Sequence, residues 1–465
     1  METVHSEILT LADRSRSSQR ERLHEMTTVP DRLLLRCGIF LDGTGTPAKE
    51  DVALLVESGR IVAVDPWRDW VSSNGEPEEH LDLRNHTIVP GLIDAHAHLC
   101  LGTPSNSDWA SAITDSIGIV AWGMASGVAA LRTGVTTIVD AGSQAGLALR
   151  LATLVDTGLA AGPRILAAGP AITTTAGHGE AFGTLADNAE ELIRAVRSVV
   201  AAGAAIVKIM VTGGAIDPSS NRRRAQYSQE ELEAAISDAH RLGKSVIGHA
   251  NATEGITRAV RAGIDIVAHC NWLGSAPGTI YVDTDTVEAM VRQKVWIDLN
   301  IEGALRDLQS TDGLLPEPST MHNPEPNDRW ELLQPLRKQG VGLYLTSDGF
   351  GPAVGAFTKF LCDGRAKWNL SAEEIISLVS SKPALALGID DFLGTLVPGK
   401  LADFVVLTGD LRSENDALLR PRSVYRNGIE VVANGLLRPT LASLASDSEA
   451  SAQQNLLDSV FRKLG

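Results

Sequence analysis

Cysteine is scarce: four residues in 465, Cys37, Cys100, Cys270 and Cys362, too far apart to be read as pairs. That spacing excludes a disulfide framework and a thiolate zinc site, and leaves buried thiols. Basic charge is also in deficit. Forty-one Lys and Arg face 57 Asp and Glu, a formal charge of -16, which disfavours binding to phosphate backbones or anionic membranes. No stretch offers the roughly 20 apolar residues of a spanning helix, and the first 30 residues are charged throughout (Glu2, Asp13, Arg14, Arg16, Arg20, Arg22) with no apolar h-region. The expectation is a cytoplasmic protein with a small-molecule substrate, no nucleic acid and no membrane as partner; a homo-oligomer stays open. No internal repeat of fixed period is evident.

What is present is a large core and a rhythm. Apolar residues make up 44% of the chain and charged ones 21%, the balance of soluble globular proteins. Residues 1–31 read as a polar N-terminal extension. Over 32–90 short strands alternate with Gly, Asp and Pro turns, the first part of a small β-sandwich. From 91 to 390 β-branched runs alternate with segments of helical period, which implies a parallel sheet. Eight runs qualify as its strands: "GLIDAHAHL", "GVTTIVDAG", "RILAAGPAI", "AAIVKIMVTGG", "SVIGHAN", "DIVAHCN", "KVWIDLN" and "GLYLTSDG". Eight is the number that closes a (β/α)8 TIM barrel. A helix over 228–243 opens on the capping pattern Ser228 to Glu231. Strands return over 391–437 as the second part of the sandwich, and 438–465 is a tail. The Pro-rich segment 303–330 is a candidate lid.

Polar residues interrupt these apolar strands near their C-terminal ends. His96 and His98 stand two apart in "DAHAH", so both imidazoles share a side of the strand and could pair on a metal. Alone, the pattern also fits two satisfied polar side chains. Lys208 lies between Ile206, Val207, Ile209, Met210 and Val211, where an uncompensated ammonium costs several kcal/mol, roughly. His249, His269 and Asp348 each end a separate apolar strand. In a TIM barrel those ends converge on the face that carries chemistry.

With "VPGLIDAHAHL" (89–99), Lys208, His249, His269, the "SDG" of Asp348 and "GTLVPGKLADFVVL" (394–407), the chain resembles the amidohydrolase superfamily over about 32–437. The resemblance implies two divalent metal ions, one held by His96, His98 and Asp348, the other by His249 and His269. Lys208, carboxylated by CO2, would bridge them, which turns a stray buried cation into a shared anion. Zinc comes first, with cobalt, manganese or iron as alternatives.

"TTTAGHGEAFG", "KIMVTGG" and "AQYSQEEL" look like the prolidase-like and imidazolonepropionase-related branch, a neighbourhood that includes dipeptidases and phenylurea and thiocarbamate herbicide hydrolases. In that branch the equivalents of His178 and Tyr227 face the substrate. A loop histidine bonded to backbone and a packing aromatic before a helix are the alternatives. The chain departs from the dipeptidase-like pattern at Asn251, where a second histidine is usual, and at Ala268, where a glutamate is.

The implied reaction is attack of a metal-bridging hydroxide on an amide-like carbonyl of a urea, carbamate or thiocarbamate, with Asp348 moving the proton and His178 and Tyr227 facing the oxyanion. Asn251 and Arg222 are further candidate substrate contacts; an arginine of "NRRRAQY" would suit a carboxylate, or belong to a solvated run. The alternatives are a Xaa-Pro or Xaa-Arg dipeptidase or N-acyl amino acid hydrolase, and a non-catalytic scaffold. Deaminases and a triazine dechlorinase of the superfamily generally use one metal and lack the modified lysine.

Overall fold

The computed structural model describes residues 32–101, 115–214, 217, 220–301 and 329–438. The N-terminal extension, nearly all of the candidate lid and the tail from 439 lie outside the described residues.

Turn chemistry and alternation produce the first four strands, β1 (Arg32–Phe40), β2 (Lys49–Glu57), β3 (Arg60–Pro66) and β4 (Leu81–Pro90). The barrel region follows with β5 (Leu92–His98), β6 (Val135–Asp140), β7 (Arg164–Ala167), β8 (Ile172–Thr173), β9 (Thr184–Leu185), β10 (Val207–Met210), β11 (Val246–Ala252), β12 (Ile266–Leu273), β13 (Trp296–Asn300), β14 (Gly342–Thr346) and β15 (Gly349–Phe350). The chain ends in β16 (Phe404–Thr408), β17 (Pro421–Arg426), β18 (Ile429–Ala433) and β19 (Leu436–Leu437).

The two ends of the chain meet in one sheet of order β19-β18-β17-β16-β4-β1-β2-β3. Its junction is β16 against β4, antiparallel, with Val406 opposite Ile88. Leu35, Leu54, Ile88, Phe404 and Val406, drawn from both ends, share one apolar cluster. The sequence reading expects a small β-sandwich from these two segments; their strands join in one eight-stranded sheet.

In the barrel region β5, β6 and β7 pair in parallel, as do β10 to β14. The two runs are joined where strands kink. "RILAAGPAI", expected as one strand, breaks into β7 and β8 because Gly169 takes φ +75° and Pro170 has no N–H to give. β7 pairs with β6, β8 pairs with β10, and Ala205 N donates to Ala167 O at 2.9 Å. The eighth strand behaves alike: β14 pairs with β13, β15 with β5, and Asp348 between them takes φ +52°. The architecture is the α/β (β/α)8 barrel.

Helices fill the intervals. Gln229–Arg241 carries both bonds of the expected capping box, Glu231 N to Ser228 Oγ at 3.3 Å and Ser228 N to Glu231 Oε2 at 2.7 Å. Outward strand residues such as Val207, Ile209, Val246 and Val267 pack with the helices' apolar faces. Ile93, Val139, Ile206, Ile247, Ile266 and Tyr344 form a separate inner cluster. Among the described residues no helix is long and apolar enough to cross a membrane.

Candidate metal centre

The last turn of each inner strand decides what faces the barrel mouth. On β5 the register against β6 slips between Asp94 and Ala97, a bulge that re-aims the strand end carrying His96 and His98. Their Nε2 atoms lie 3.5 and 3.4 Å from Asp348 Oδ1. His96, His98 and Asp348 offer ligand atoms all within 4.8 Å of one another, a set able to hold a metal ion.

The ring orientations are fixed from behind. His96 Nδ1 meets Asp298 Oδ2 at 2.5 Å and His98 Nδ1 meets the Gly142 carbonyl at 2.9 Å. A histidine that donates from Nδ1 keeps its Nε2 lone pair for a cation, and here that nitrogen is the one turned to Asp348. Asp298 also accepts from Thr346 Oγ1 at 2.5 Å.

Lys208 is 2% exposed, and its Nζ sits 3.1 Å from His96 Nε2. Among the described residues no carboxylate forms an ion pair with it. Burial brings its amine down from 10.5 to about 8. The other two histidines continue the group: ring centroids are 5.6 Å apart for His96 and His269, 4.4 Å for His269 and His249. Burial pushes both imidazoles well below their ordinary value, which leaves the neutral form that binds metals. Burial acts upward on Asp348, yet His96, His98 and His269 around it hold its carboxyl well below the usual carboxylate range.

Asp348 is held by main chain and neighbours. Its N–H donates to the His96 carbonyl at 2.8 Å, and Asn300 Nδ2 donates to its Oδ2 at 3.0 Å. The preceding Ser347 gives both its N–H (3.0 Å) and its hydroxyl (2.5 Å) to buried Asp94. Burial raises the Asp94 carboxyl to about 7.

His178 joins the edge of the group, its ring centroid 4.4 Å from that of His249. Its N–H donates to Gln226 Oε1 and its carbonyl accepts from Thr173 Oγ1, both at 2.7 Å. Burial lowers its imidazole to about 4, so it is neutral at pH 7. Asn251 is buried and its amide contacts His249. The structure does not bring Tyr227 into the group. Its ring is buried in the outer core, its hydroxyl has no hydrogen-bond partner among the described residues, and the charges acting on it are Asp187 and Glu231. Arg222 is half-buried; neighbouring Arg223 is buried and donates to the carbonyls of Gly274 and Thr279 at 2.8 and 3.0 Å.

Five residues escaped the sequence reading: Asp94, Asn271, Asp298, Asn300 and Arg329. Asp298 and Asn300 are two apart on an apolar strand, the same signal that marked His96 and His98. Arg329 is linked to the centre through Asn300 Oδ1, which accepts from its Nη1 at 2.6 Å.

The model of the Amidohydrolase family matches residues 87–436. Ochratoxinase of Aspergillus niger is 27% identical over 313 residues, 59% of this chain; the chain spans 62% of that relative's length. Imidazolonepropionase of Paracoccus denitrificans is 25% identical over 392 residues, covering 77% of this chain and 88% of that protein. A crystal structure of a Xaa-Pro dipeptidase with bound methionine superposes with a TM-score of 0.73 at 23% identity, covering 86% of this chain and 99% of that one. With a matching model across three quarters of its length and a ligand-competent set at the mouth of its barrel, the chain belongs to the amidohydrolase family.

Proposed function

We propose that the protein is a metal-dependent hydrolase of an amide-like C–N bond in a small molecule of the urea, carbamate or thiocarbamate type. One observation carries the reading: a fully buried lysine amine stands against an imidazole of the set able to hold a metal ion, with no carboxylate paired to it among the described residues. A cation beside cations is untenable, whereas a carbamate formed on that amine is an anion suited to join two of them.

The reading calls for two divalent ions, zinc first, and the ligand set of His96, His98 and Asp348 fits one of them. His96, His98 and Asp348 would hold one, His249 and His269 the other, with carboxylated Lys208 shared. Such ions supply a lowered water pKa, toward roughly 7, and polarisation of a carbonyl. The chain does the rest. Asp348, anionic and pinned by Asn300 and the His96 carbonyl, takes a proton at its carboxylate and returns it to the leaving nitrogen. His178, neutral and buried, donates an N–H toward the developing oxyanion. Asp298 and the Gly142 carbonyl keep both β5 imidazoles in the ligating tautomer.

A second reading, hydrolysis of an amide that carries a carboxylate, is favoured by Arg329, a cation one carboxamide away from Asp348. The test is a panel of ureas, carbamates, thiocarbamates, dipeptides and N-acyl amino acids, with Lys208→Ala beside the native protein. Turnover of neutral ureas or carbamates, lost together with bound metal in Lys208→Ala, is expected. Turnover confined to carboxylate-bearing amides selects the second reading. A fully active Lys208→Ala variant refutes the bridging lysine.

A further inference from the structure

His249 is held the opposite way round from His96 and His98. Those two rings are tied at Nδ1 and turn Nε2 to the centre. In His249 the tied nitrogen is Nε2, 2.8 Å from the Asn251 amide nitrogen. The Asn251 oxygen in turn accepts from Asn271 Nδ2 at 2.6 Å. Both carboxamides are buried, 5% and 1% exposed, and the chain of bonds ends at Asn271 Oδ1, which is buried and has no hydrogen-bond partner among the described residues. An orphan acceptor in so dry a place costs about 1–3 kcal/mol. Its presence calls for a reason.

We propose that Asn251 and Asn271 are positioning residues for His249, a two-amide relay that holds the ring by Nε2, offers Nδ1 to a cation, and turns over when the cation arrives. The inference rests on the binuclear reading above. A neutral imidazole has one N–H and one lone pair. With Asn251 Nδ2 donating to Nε2, the ring proton is on Nδ1. A ring that gives its Nδ1 lone pair to a cation must instead carry the proton on Nε2, and the atom facing Nε2 must then accept.

A carboxamide serves both states by a half-turn. Once Asn251 presents its oxygen to His249, its NH2 faces Asn271. A half-turn there presents the oxygen that is now unpartnered. Both bonds of the relay survive, only the long 3.4 Å contact from Asn251 Nδ2 to the Gly213 carbonyl is lost, and the unpaired group at the end changes from acceptor to donor. The relay gives Asn251 a task other than touching substrate, and explains how an amide stands where dipeptidase-like relatives are expected to carry histidine.

The test is metal affinity, read without turnover. Metal-free native protein, Asn251→Leu, Asn251→Asp and Asn271→Ala are titrated with Zn2+ in competition with a chromophoric chelator, and with Co2+ for the visible spectrum. Outer partners of ligating histidines are worth 10–100-fold in metal affinity. Asn251→Leu should weaken one of two equivalents by that factor and leave the other as in the native protein. Asn251→Asp, a permanent acceptor, should bind within a few-fold of native. Asn271→Ala should move the same equivalent in the same direction. Native affinity in Asn251→Leu overturns the proposal, as does an equal loss in Asn251→Asp and Asn251→Leu. If Asn251→Leu fails to fold, Asn271→Ala decides: unchanged affinity overturns the relay. A native protein that takes up no metal defeats the hydrolase reading itself, an outcome distinct from the loss of one equivalent.

Discussion

Gly214→Ala would press first on one catalytic candidate, His178. A Cβ at Gly214 falls 2.3 Å from His178 Cε1 and 2.4 Å from both ring nitrogens. Ordinary contact begins near 3.4 Å, so the imidazole must retreat by about 1 Å. It has little room, since the His249 ring lies 4.4 Å away centre to centre and the His178 backbone is bonded on both sides. Rotation off its rotamer costs about 1 kcal/mol, and overpacking of such a site costs about 1–3 kcal/mol in stability. If His178 donates to the oxyanion, losing that bond costs about 3 kcal/mol of transition-state stabilisation, roughly 100-fold in kcat. Steady-state kinetics on the best substrate of the panel, with metal content and Tm, make the assay. The expected result is kcat down about 100-fold, metal equivalents unchanged and a modest fall in Tm. A variant with kcat within twofold of native refutes the role given to His178. Gly213→Ala is a poorer probe because its Cβ meets the Asn221 backbone at 2.3 Å and would shift main chain.

Asp298→Ala removes the acceptor behind His96 and should weaken metal binding about 10–100-fold, measurable by chelator competition; Asp298→Ala with native affinity would contradict the orienting role. Ser347→Ala deletes the hydroxyl bond to Asp94 and the acceptor for Gly349 N–H at 2.9 Å; a loss of about 1–3 kcal/mol in chemical denaturation is expected, with kcat reduced. Lys382 supplies a pH test remote from the centre. Burial, with Arg337 nearby, lowers its amine from 10.5 to about 8. Between about pH 8 and 10.5 the unfolded chain therefore holds the proton that the folded chain has released, so this group makes stability rise with pH across that window. Lys382→Met should abolish that rise and stabilise the protein at pH 7; urea melts at both ends of the window check it.

Much of the fold is legible in the sequence because hydrophobic alternation and capping are local. Each of the eight strand candidates contains a strand, the third and the eighth broken into two, and the Ser228 capping box is present in both its bonds. The break in the third strand was written in Gly169 and Pro170, yet the run of apolar residues around them hides it. The candidate ligands were legible because a polar residue in an apolar strand has few reasons to be there. Asp298 and Asn300 carried the same signal and were passed over. Tyr227 was not decidable: two faces are open to an aromatic just before a helix, and packing against the outer core, a tertiary fact, selects one.

His269 shows where the local rule stops. On β12, Ile266 and Ala268 belong to the inner cluster, with Val267 packed outward. Strict alternation would send His269 outward too, opposite Ala250 in the ladder. Instead His269, Cys270 and Trp272 take φ of +69°, +50° and +52°, in the left-handed region that non-glycine residues rarely adopt. That twist swings the His269 ring to within 4.4 Å of His249 and brings Asn271 under Asn251. Asp348, at φ +52°, is placed by the same device. Each such residue costs of order 1–3 kcal/mol and persists only when its surroundings over-determine it. For Asp348 those surroundings are the Ser347 bonds to Asp94 and the His96 carbonyl; for the end of β12 they include the amide pair. The strained residues and the residues that restrain them thus form one construction, and among the pieces sequence reading missed, Asp94, Asn271 and Asn300 are restraints. A site residue announces itself by being out of place in its strand, whereas a restraint is defined by the neighbour it holds, and no single stretch of sequence contains both.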